Sequence, residues 1–340
     1  MIREAIAAVV GGCDLSREEA AQAMAEIMSG DASSSQIGAL ATALRMKGEA
    51  VSELAGMAAA MRARALTVDA PEAAVDMCGT GGDGSGTFNI STAAALVVVA
   101  AGVPVAKHGN RAMSSRCGSA DVLEALGVAV GLGPAECSRC LEETGMAFMF
   151  APRFHPAMRH AAEPRREIGI RTVFNLLGPL ANPAGVRAQV LGVAEAALAE
   201  RMALALGALG CRRALVVHGH GSLDELSISG PTTVLELDAG CVQRYEVEPA
   251  SLGLARGNLD ALRVRTPEES AAAVLGVLGG EGGPRRDVVL LNAAAGLYVA
   301  DGAPTLAAGV RLAAEAVDSG AALAKLEELA EVSQRLAKSE

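Results

Sequence analysis

Four stretches of the chain carry residue types whose spacing could bind anions or hard cations. The densest is Cys78-Gly79-Thr80-Gly81-Gly82-Asp83-Gly84-Ser85-Gly86. Glycine at this density lets backbone N–H groups turn toward an anion and lets the anion come close. The loop leads into a helix-like stretch, Thr87–Ala101, whose N-terminus adds partial positive charge and whose first turn holds Asn89, Ser91 and Thr92. Phosphate or pyrophosphate binding is the chemistry this fits. A steric turn followed by helix caps is the plainer alternative, but capping accounts for one or two of the three polar side chains. Gly79-x-Gly81-x-x-Gly84 also matches the dinucleotide fingerprint. Against that, the next strand ends in Lys107-His108 rather than an acid, and Asp83 would repel a bare pyrophosphate. No lysine follows Gly84 or Gly86, so a P-loop fails too.

Lys107-His108-Gly109-Asn110-Arg111-Ala112-Met113-Ser114-Ser115-Arg116-Cys117-Gly118-Ser119 combines cations, hydroxyls and glycines at the end of a second strand, which describes a second anion site. His108 is not assigned as a base. A third loop, His218-Gly219-His220-Gly221-Ser222-Leu223-Asp224-Glu225, ends in adjacent carboxylates, hard oxygen donors that suit Mg²⁺ beside phosphates. Zinc on His218 and His220 is weaker, because no third ligand has matching spacing. The fourth stretch is a basic island between Ala151 and Arg187: Arg153, Arg159, Arg165, Arg166, Arg171 and Arg187 face only Glu163 and Glu167.

These loops need a scaffold. The first seventy residues read as consecutive helices: Ser16-x-x-Glu19 is a capping box, Gly30 a stop, and Ser35 and Ser52 caps of two more. From Val75 onward short apolar strands alternate with glycine-rich turns and helices: Ala74–Met77, Val103–Ala106, Ala147–Phe150, Gln189–Val193, Ala214–Val217 and Val288–Leu291. This pattern predicts an α/β protein with a mainly parallel central sheet and a small helical domain. The expected division is 1–70 plus about 164–183 for the helical domain, and 71–163 with 184–340 for the α/β domain. Amphipathic helices are expected over Leu306–Leu336.

Of the 340 residues, 51% are hydrophobic but only 2% aromatic, so Ala, Val and Leu must fill the core by close packing. A formal net charge of −10 opposes binding to nucleic acid or an anionic membrane. The longest apolar stretch, Ala93–Ala106, is interrupted by Gly102 and Pro104 and is too short to span a bilayer. Met1–Cys13 reads as a helix rather than a leader. Seven scattered cysteines fit a reduced, cytoplasmic setting, with Cys137 and Cys140 as ordinary helix residues.

Gly79–Asp83, Asn89–Thr92, Lys107–Ser119, Arg165–Thr172, Phe174–Pro183 and Leu223–Glu225 occur in the same order as in anthranilate phosphoribosyltransferases, and over nearly the whole chain the sequence resembles that family. The resemblance implies the nucleoside phosphorylase-like phosphoribosyltransferase fold. It also implies transfer of the 5-phosphoribosyl group from phosphoribosyl pyrophosphate (PRPP) to the amine of anthranilate in tryptophan biosynthesis. By the same resemblance Gly79, Gly82, Asp83, Thr87, Asn89, Ile90, Ser91, Thr92, Lys107, His108, Gly109, Asn110, Arg111, Ala112, Met113, Ser114, Ser115 and Ser119 would surround PRPP. Gly79, Asn110 and Arg165 would face anthranilate. Ser91, Asp224 and Glu225 would hold two Mg²⁺ ions per subunit. No residue is assigned as general acid or base. A homodimer is expected, with no nucleic-acid or membrane partner; association with anthranilate synthase components is left open.

Two alternatives compete. A pyrimidine nucleoside phosphorylase would be expected to read Lys-x-Ser-Gly-Arg-Gly where this chain has Lys107-His108-Gly109-Asn110-Arg111, and needs no Asp-Glu pair on Mg²⁺. A nucleic-acid-binding relative without catalysis should be basic and lack Arg165 or Asp224-Glu225.

Overall fold

Short apolar runs that end at glycines set where the strands stop and the site loops begin. In the computed structural model, which describes residues 1–112 and 117–338, these runs form one seven-stranded sheet. Its strands are β1 Val75–Gly79, β2 Val105–Gly109, β3 Met146–Phe150, β4 Ala188–Gly192, β5 Arg213–His218, β6 Thr232–Asp238 and β7 Cys241–Val247. The order is β3-β2-β1-β4-β5-β6-β7, with β1 to β5 parallel and β6 and β7 antiparallel at one edge. The chain winds outward from β1 to β3, then returns beside β1 with β4. That reversal opens a crevice at the C-terminal ends of β1 and β4, where α/β proteins bind ligands.

The low aromatic content is met by close backbone approach. The helices Ile90–Ala100 and Pro284–Val299 are almost wholly buried against each other and the sheet. A Cβ on Gly296 would crowd Met77 and Val98, and one on Gly309 would crowd Ala294. Only small residues permit these distances. The helices Leu306–Asp318 and Ala321–Ala337 complete this layer as expected.

On the opposite face a second core gathers the helices Ile2–Val10, Arg17–Ser29, Ser34–Lys47 and Val51–Ala63. Arg159–Ile168 and Val173–Leu180 join them through Ala161, Phe174 and Leu177. This core continues into the helix Ala199–Ala208 and the sheet residues Leu191, Val216 and Leu235.

Several local expectations need correction. Val288–Leu291 is helix, not strand: four apolar residues fit a buried helix as well as a buried strand, and Pro284 starts that helix at its first turn. The hairpin β6–β7 was not expected. It turns through Ala239-Gly240, at φ +46° and +88°, and β7 is largely exposed, so it lacks an apolar signature. The Ser16 capping box and the left-handed Gly30 stop are present. Ser33 caps its helix where Ser35 was expected, and the next helix starts after Ala50 while the Ser52 hydroxyl donates to Leu15 O at 2.7 Å. The helix expected from Thr87 begins at Ile90.

All seven cysteines are free, and Cys137 and Cys140 are buried on the helix Pro134–Thr144. Among the described residues no helix is long and apolar enough to cross a membrane.

Candidate active site

The crevice is a cleft of about 320 Å³ lined by the loops after β1, β2 and β5 and by the segment around Arg165–Pro179. Its floor is set by two glycines paired across β1 and β4, Gly79 and Gly192. A Cβ on Gly79 would overlap the Asp224 carboxylate, and one on Gly192 would overlap the Asp224 carbonyl. Their bareness lets the acidic loop slide beneath the glycine loop. There Asp224 Oδ2 accepts from the Gly81 N–H at 2.7 Å, and Glu225 Oε1 accepts from the Ser91 N–H at 3.2 Å.

Burial pushes both carboxyls above the usual carboxylate range; Asp83 adds repulsion to each, and Asp224 adds more to Glu225. Arg171 opposes the shift at Asp224 and Lys107 opposes it at Glu225. Lys107 is buried and donates to Met77 O and, at 3.2 Å, to Ser91 Oγ. Buried, mutually repelling oxygen donors with a hydroxyl alongside suit a hard divalent cation. Among the described residues no three His, Cys, Asp or Glu side chains converge as a complete metal cage. Mg²⁺ takes one or two carboxylates and completes its shell with water and substrate phosphates.

Behind this cluster, buried Asp76 accepts from Asn182 Nδ2 at 2.8 Å and from the His108 N–H at 3.3 Å, and Asn182 also donates to Ala106 O at 2.9 Å. His108 is buried, with Nδ1 3.1 Å from Gly178 O and Nε2 without a partner among the described residues. Gly178 O accepts, so the proton is assigned to Nδ1. Burial, then His155 with its ring centroid 5.1 Å away, push His108 down to about 3. The ring is neutral at physiological pH.

The donor-side residues divide by exposure. Gly79, Gly82, Asp83, Thr87, Asn89, Ile90 and Ser91 line the cleft. Thr92 does not: it is buried beneath, and its hydroxyl has no partner among the described residues. Asn89 is fixed from afar, its Oδ1 accepting from Ser270 Oγ at 2.8 Å and Cys117 Sγ at 3.1 Å. Lys107, His108, Gly109, Asn110, Arg111, Ala112 and Ser119 also line it. Ser119 Oγ donates to Asn110 O at 3.3 Å, which draws the ends of that loop together. Arg111 sits at the rim, paired with Asp121 at 3.0 Å and Glu124 at 2.5 Å. Met113, Ser114 and Ser115 lie outside the described residues.

Arg165 projects into the same cleft from the last turn of the helix Arg159–Ile168, 5.6 Å over the Phe174 ring. Burial disfavours its charge, and among the described residues no carboxylate pairs with it. A half-buried guanidinium left this way calls for an anionic ligand.

A glycosyl transferase family a/b domain matches residues 71–323, and the helical bundle domain of a glycosyl transferase family matches residues 3–65. An anthranilate phosphoribosyltransferase from Roseiflexus sp. (strain RS-1) is 57% identical over 335 residues, 98% of each chain. The chain belongs to the anthranilate phosphoribosyltransferase family. It is accordingly a glycosyltransferase. The crystal structure of the family member from Thermus thermophilus matches with a TM-score of 0.92 and 47% identity, over 97% of this chain and 99% of that one. The anthranilate phosphoribosyltransferase of Saccharomyces cerevisiae in complex with PRPP and Mg matches at 29% identity and a TM-score of 0.89, over 98% of both chains. The yeast enzyme in complex with 4-fluoroanthranilate gives 30% identity and a TM-score of 0.84 over 94% of each chain. The N-terminal helical bundle and mainly parallel α/β body expected from the sequence are thus those of anthranilate phosphoribosyltransferases.

The roles of Arg171, Gly192, Ser270 and the Asp76–Asn182 pair appear only in the structure. Asn182 lay within a quoted motif, and Arg171 within the basic island, so each carried a signal of position without one of role. Ser270 carried none, since it meets Asn89 from 181 positions away.

Proposed function

We propose that this chain transfers the 5-phosphoribosyl group of PRPP to the amine of anthranilate within this cleft, giving N-(5-phosphoribosyl)anthranilate and pyrophosphate. The reaction belongs to tryptophan biosynthesis. The observation that carries the proposal is the pairing, in one cleft, of a glycine loop over buried Asp224 and Glu225 with an unpaired Arg165. One half suits a pyrophosphate with its metal, the other a carboxylate acceptor.

On this reading Gly79, Gly82, Asp83, Thr87, Asn89, Ile90, Ser91, Lys107–Ala112 and Ser119 surround PRPP, and Thr92, buried beneath the cleft, does not touch it. Ser91, Asp224 and Glu225 hold Mg²⁺, two ions per subunit, and Gly79, Asn110 and Arg165 receive anthranilate. Bound Mg²⁺ would offset the charge that builds on the departing pyrophosphate.

The chain's own groups do the rest. The backbone N–H groups of Gly82 and Asp83, which have no acceptor among the described residues while those of Thr80 and Gly81 are held by Gly192 O and Asp224, face the leaving oxygens as the C1–O bond breaks and its electron pair passes to pyrophosphate. The anthranilate nitrogen bonds to C1 and gives up a proton to water. Its aromatic amine is already neutral near pH 7, so no strong base is needed, and neutral His108 with Nδ1 committed to Gly178 O does not supply one. Arg165 and Asn110 hold the nucleophile in line, which matters more than deprotonating it.

The proposed small domain is residues 1–70 with about 164–183, hinging against 71–163 and 184–340 to close the cleft. Exposed Val10 and Met46, on neighbouring helices of that domain, favour a homodimer through it. Seven free thiols favour a cytoplasmic setting. Pyrophosphate release tests the reaction against its nearest rival: it should require PRPP, Mg²⁺ and anthranilate together. Phosphorolysis of thymidine by the chain would overturn the proposal.

A further inference from the structure

Arg171 sits between the two halves of the site. Gly169, at φ +67°, ends the helix Arg159–Ile168, and Thr172 stands at the N-terminus of the helix Val173–Leu180, where its N–H donates to Asn175 Oδ1 at 3.0 Å. The short link between them points Arg171 at the glycine loop. Its Nη2 donates to Thr80 O at 2.9 Å, and its guanidinium fills the space where a Cβ on Gly82 would be. Gly82, at φ +78°, is therefore glycine for two reasons, its backbone conformation and this cation.

Of the five N–H donors of a guanidinium, one is committed to Thr80 O. The others have no acceptor among the described residues, and the group lines the cleft. Lys107, the other cation at this end, is committed to Met77 O and Ser91 Oγ. A planar fork with free donors beside a phosphate-binding backbone is suited to bidentate contact with phosphate oxygens.

We propose that Arg171 is a catalytic residue that contacts the departing pyrophosphate, and that it is carried on the same segment as the acceptor-binding Arg165. The inference rests on the functional reading above. As the C1–O bond breaks, its electron pair moves onto the pyrophosphate oxygen, and Arg171 hydrogen bonds strengthen as that charge grows; no proton is transferred. Because Arg165 and Arg171 flank one helix end, acceptor binding and leaving-group stabilisation share one rigid arm.

The test compares R171Q and R171K with wild type. Calorimetry reads the affinities for Mg²⁺-pyrophosphate and for ribose 5-phosphate, and steady-state kinetics reads turnover. R171Q should bind Mg²⁺-pyrophosphate at least about tenfold more weakly, keep ribose 5-phosphate affinity within about twofold, and lose about 100-fold in kcat with anthranilate KM nearly unchanged. R171K should fall between, since an ammonium supplies charge without the fork. Added guanidinium ion should restore part of the R171Q turnover.

Equal weakening toward both ligands would mean that Arg171 only pins the loop, and would overturn the proposal. So would unchanged pyrophosphate affinity in R171Q, where the wild type consumes anthranilate. A wild type that binds pyrophosphate through Arg171 but leaves anthranilate intact would support this contact and contradict the acceptor assignment instead.

Discussion

Gly192 lies directly against Asp224: the end of β4 has no side chain, and the carbonyl of Asp224 occupies the volume a Cβ would need. Register pairing places Gly79 beside Gly192, and the Asp224 carboxylate fills the space next to Gly79. Two bare positions on adjacent strands thus fix the height of the acidic loop beneath the glycine loop.

Gly192→Ala should therefore displace Asp224 and Glu225 without disturbing either hydrophobic core. We expect kcat to fall by about 100-fold, the cost of roughly 1 Å of misplacement at a reacting centre. Circular dichroism should match wild type. Full activity in Gly192→Ala would show that the acidic loop is not held by this contact.

Asp224→Asn combined with Glu225→Gln should abolish turnover while the fold survives. Folded-state pKa values raised above the unfolded ones mean that the ligand-free protein is destabilised as these groups ionise with rising pH. The neutral pair should thus melt higher than wild type in the absence of Mg²⁺, by about 1–2 °C for each kcal/mol of repulsion relieved. Differential scanning calorimetry without ligands reads this, and a lower melting temperature would contradict the electrostatic picture.

Acid should weaken the fold through His108 and His155. Burial holds them down to about 3 and about 4, against an unfolded value of about 6.5. Between those limits the unfolded chain takes up protons that the folded chain refuses. Stability is then full above pH 6.5 and declines as pH falls, by up to about 1.4 kcal/mol per pH unit for each histidine. Urea unfolding at a series of pH values measures the slope, and His155→Phe should remove one proton's share of it. An unchanged slope would place the acid sensitivity elsewhere.

The parts of the site that sit next to each other in sequence were legible, because strand, glycine and polar side chain follow in order: Gly79–Asp83 after β1, Lys107–Ala112 after β2, Asp224-Glu225 after β5. What was not legible depends on distance along the chain. Ser270 and Cys117 orient the Asn89 side chain, and nothing near Asn89 announces them. Arg171 could be read only as one of six arginines until Thr80 and Gly82 were found against it. Likewise the apolar run Val288–Leu291 has no period of its own, and the exposed strand β7 has no apolar alternation, so the first was expected as strand and the second missed.

Arg165 should separate acceptor from donor binding. Arg165→Gln removes charge-assisted hydrogen bonds to a carboxylate and should raise anthranilate KM by about 10- to 100-fold, leaving PRPP affinity within about twofold. A parallel loss of PRPP affinity would move Arg165 to the donor side.

The most direct measurement follows the intrinsic fluorescence of anthranilate after the folded chain is mixed with PRPP and Mg²⁺. The signal should decay to the level of N-(5-phosphoribosyl)anthranilate, with pyrophosphate appearing in equal amount, and should not decay when either PRPP or Mg²⁺ is withheld. Fluorescence that persists in the complete mixture would contradict the proposed transfer.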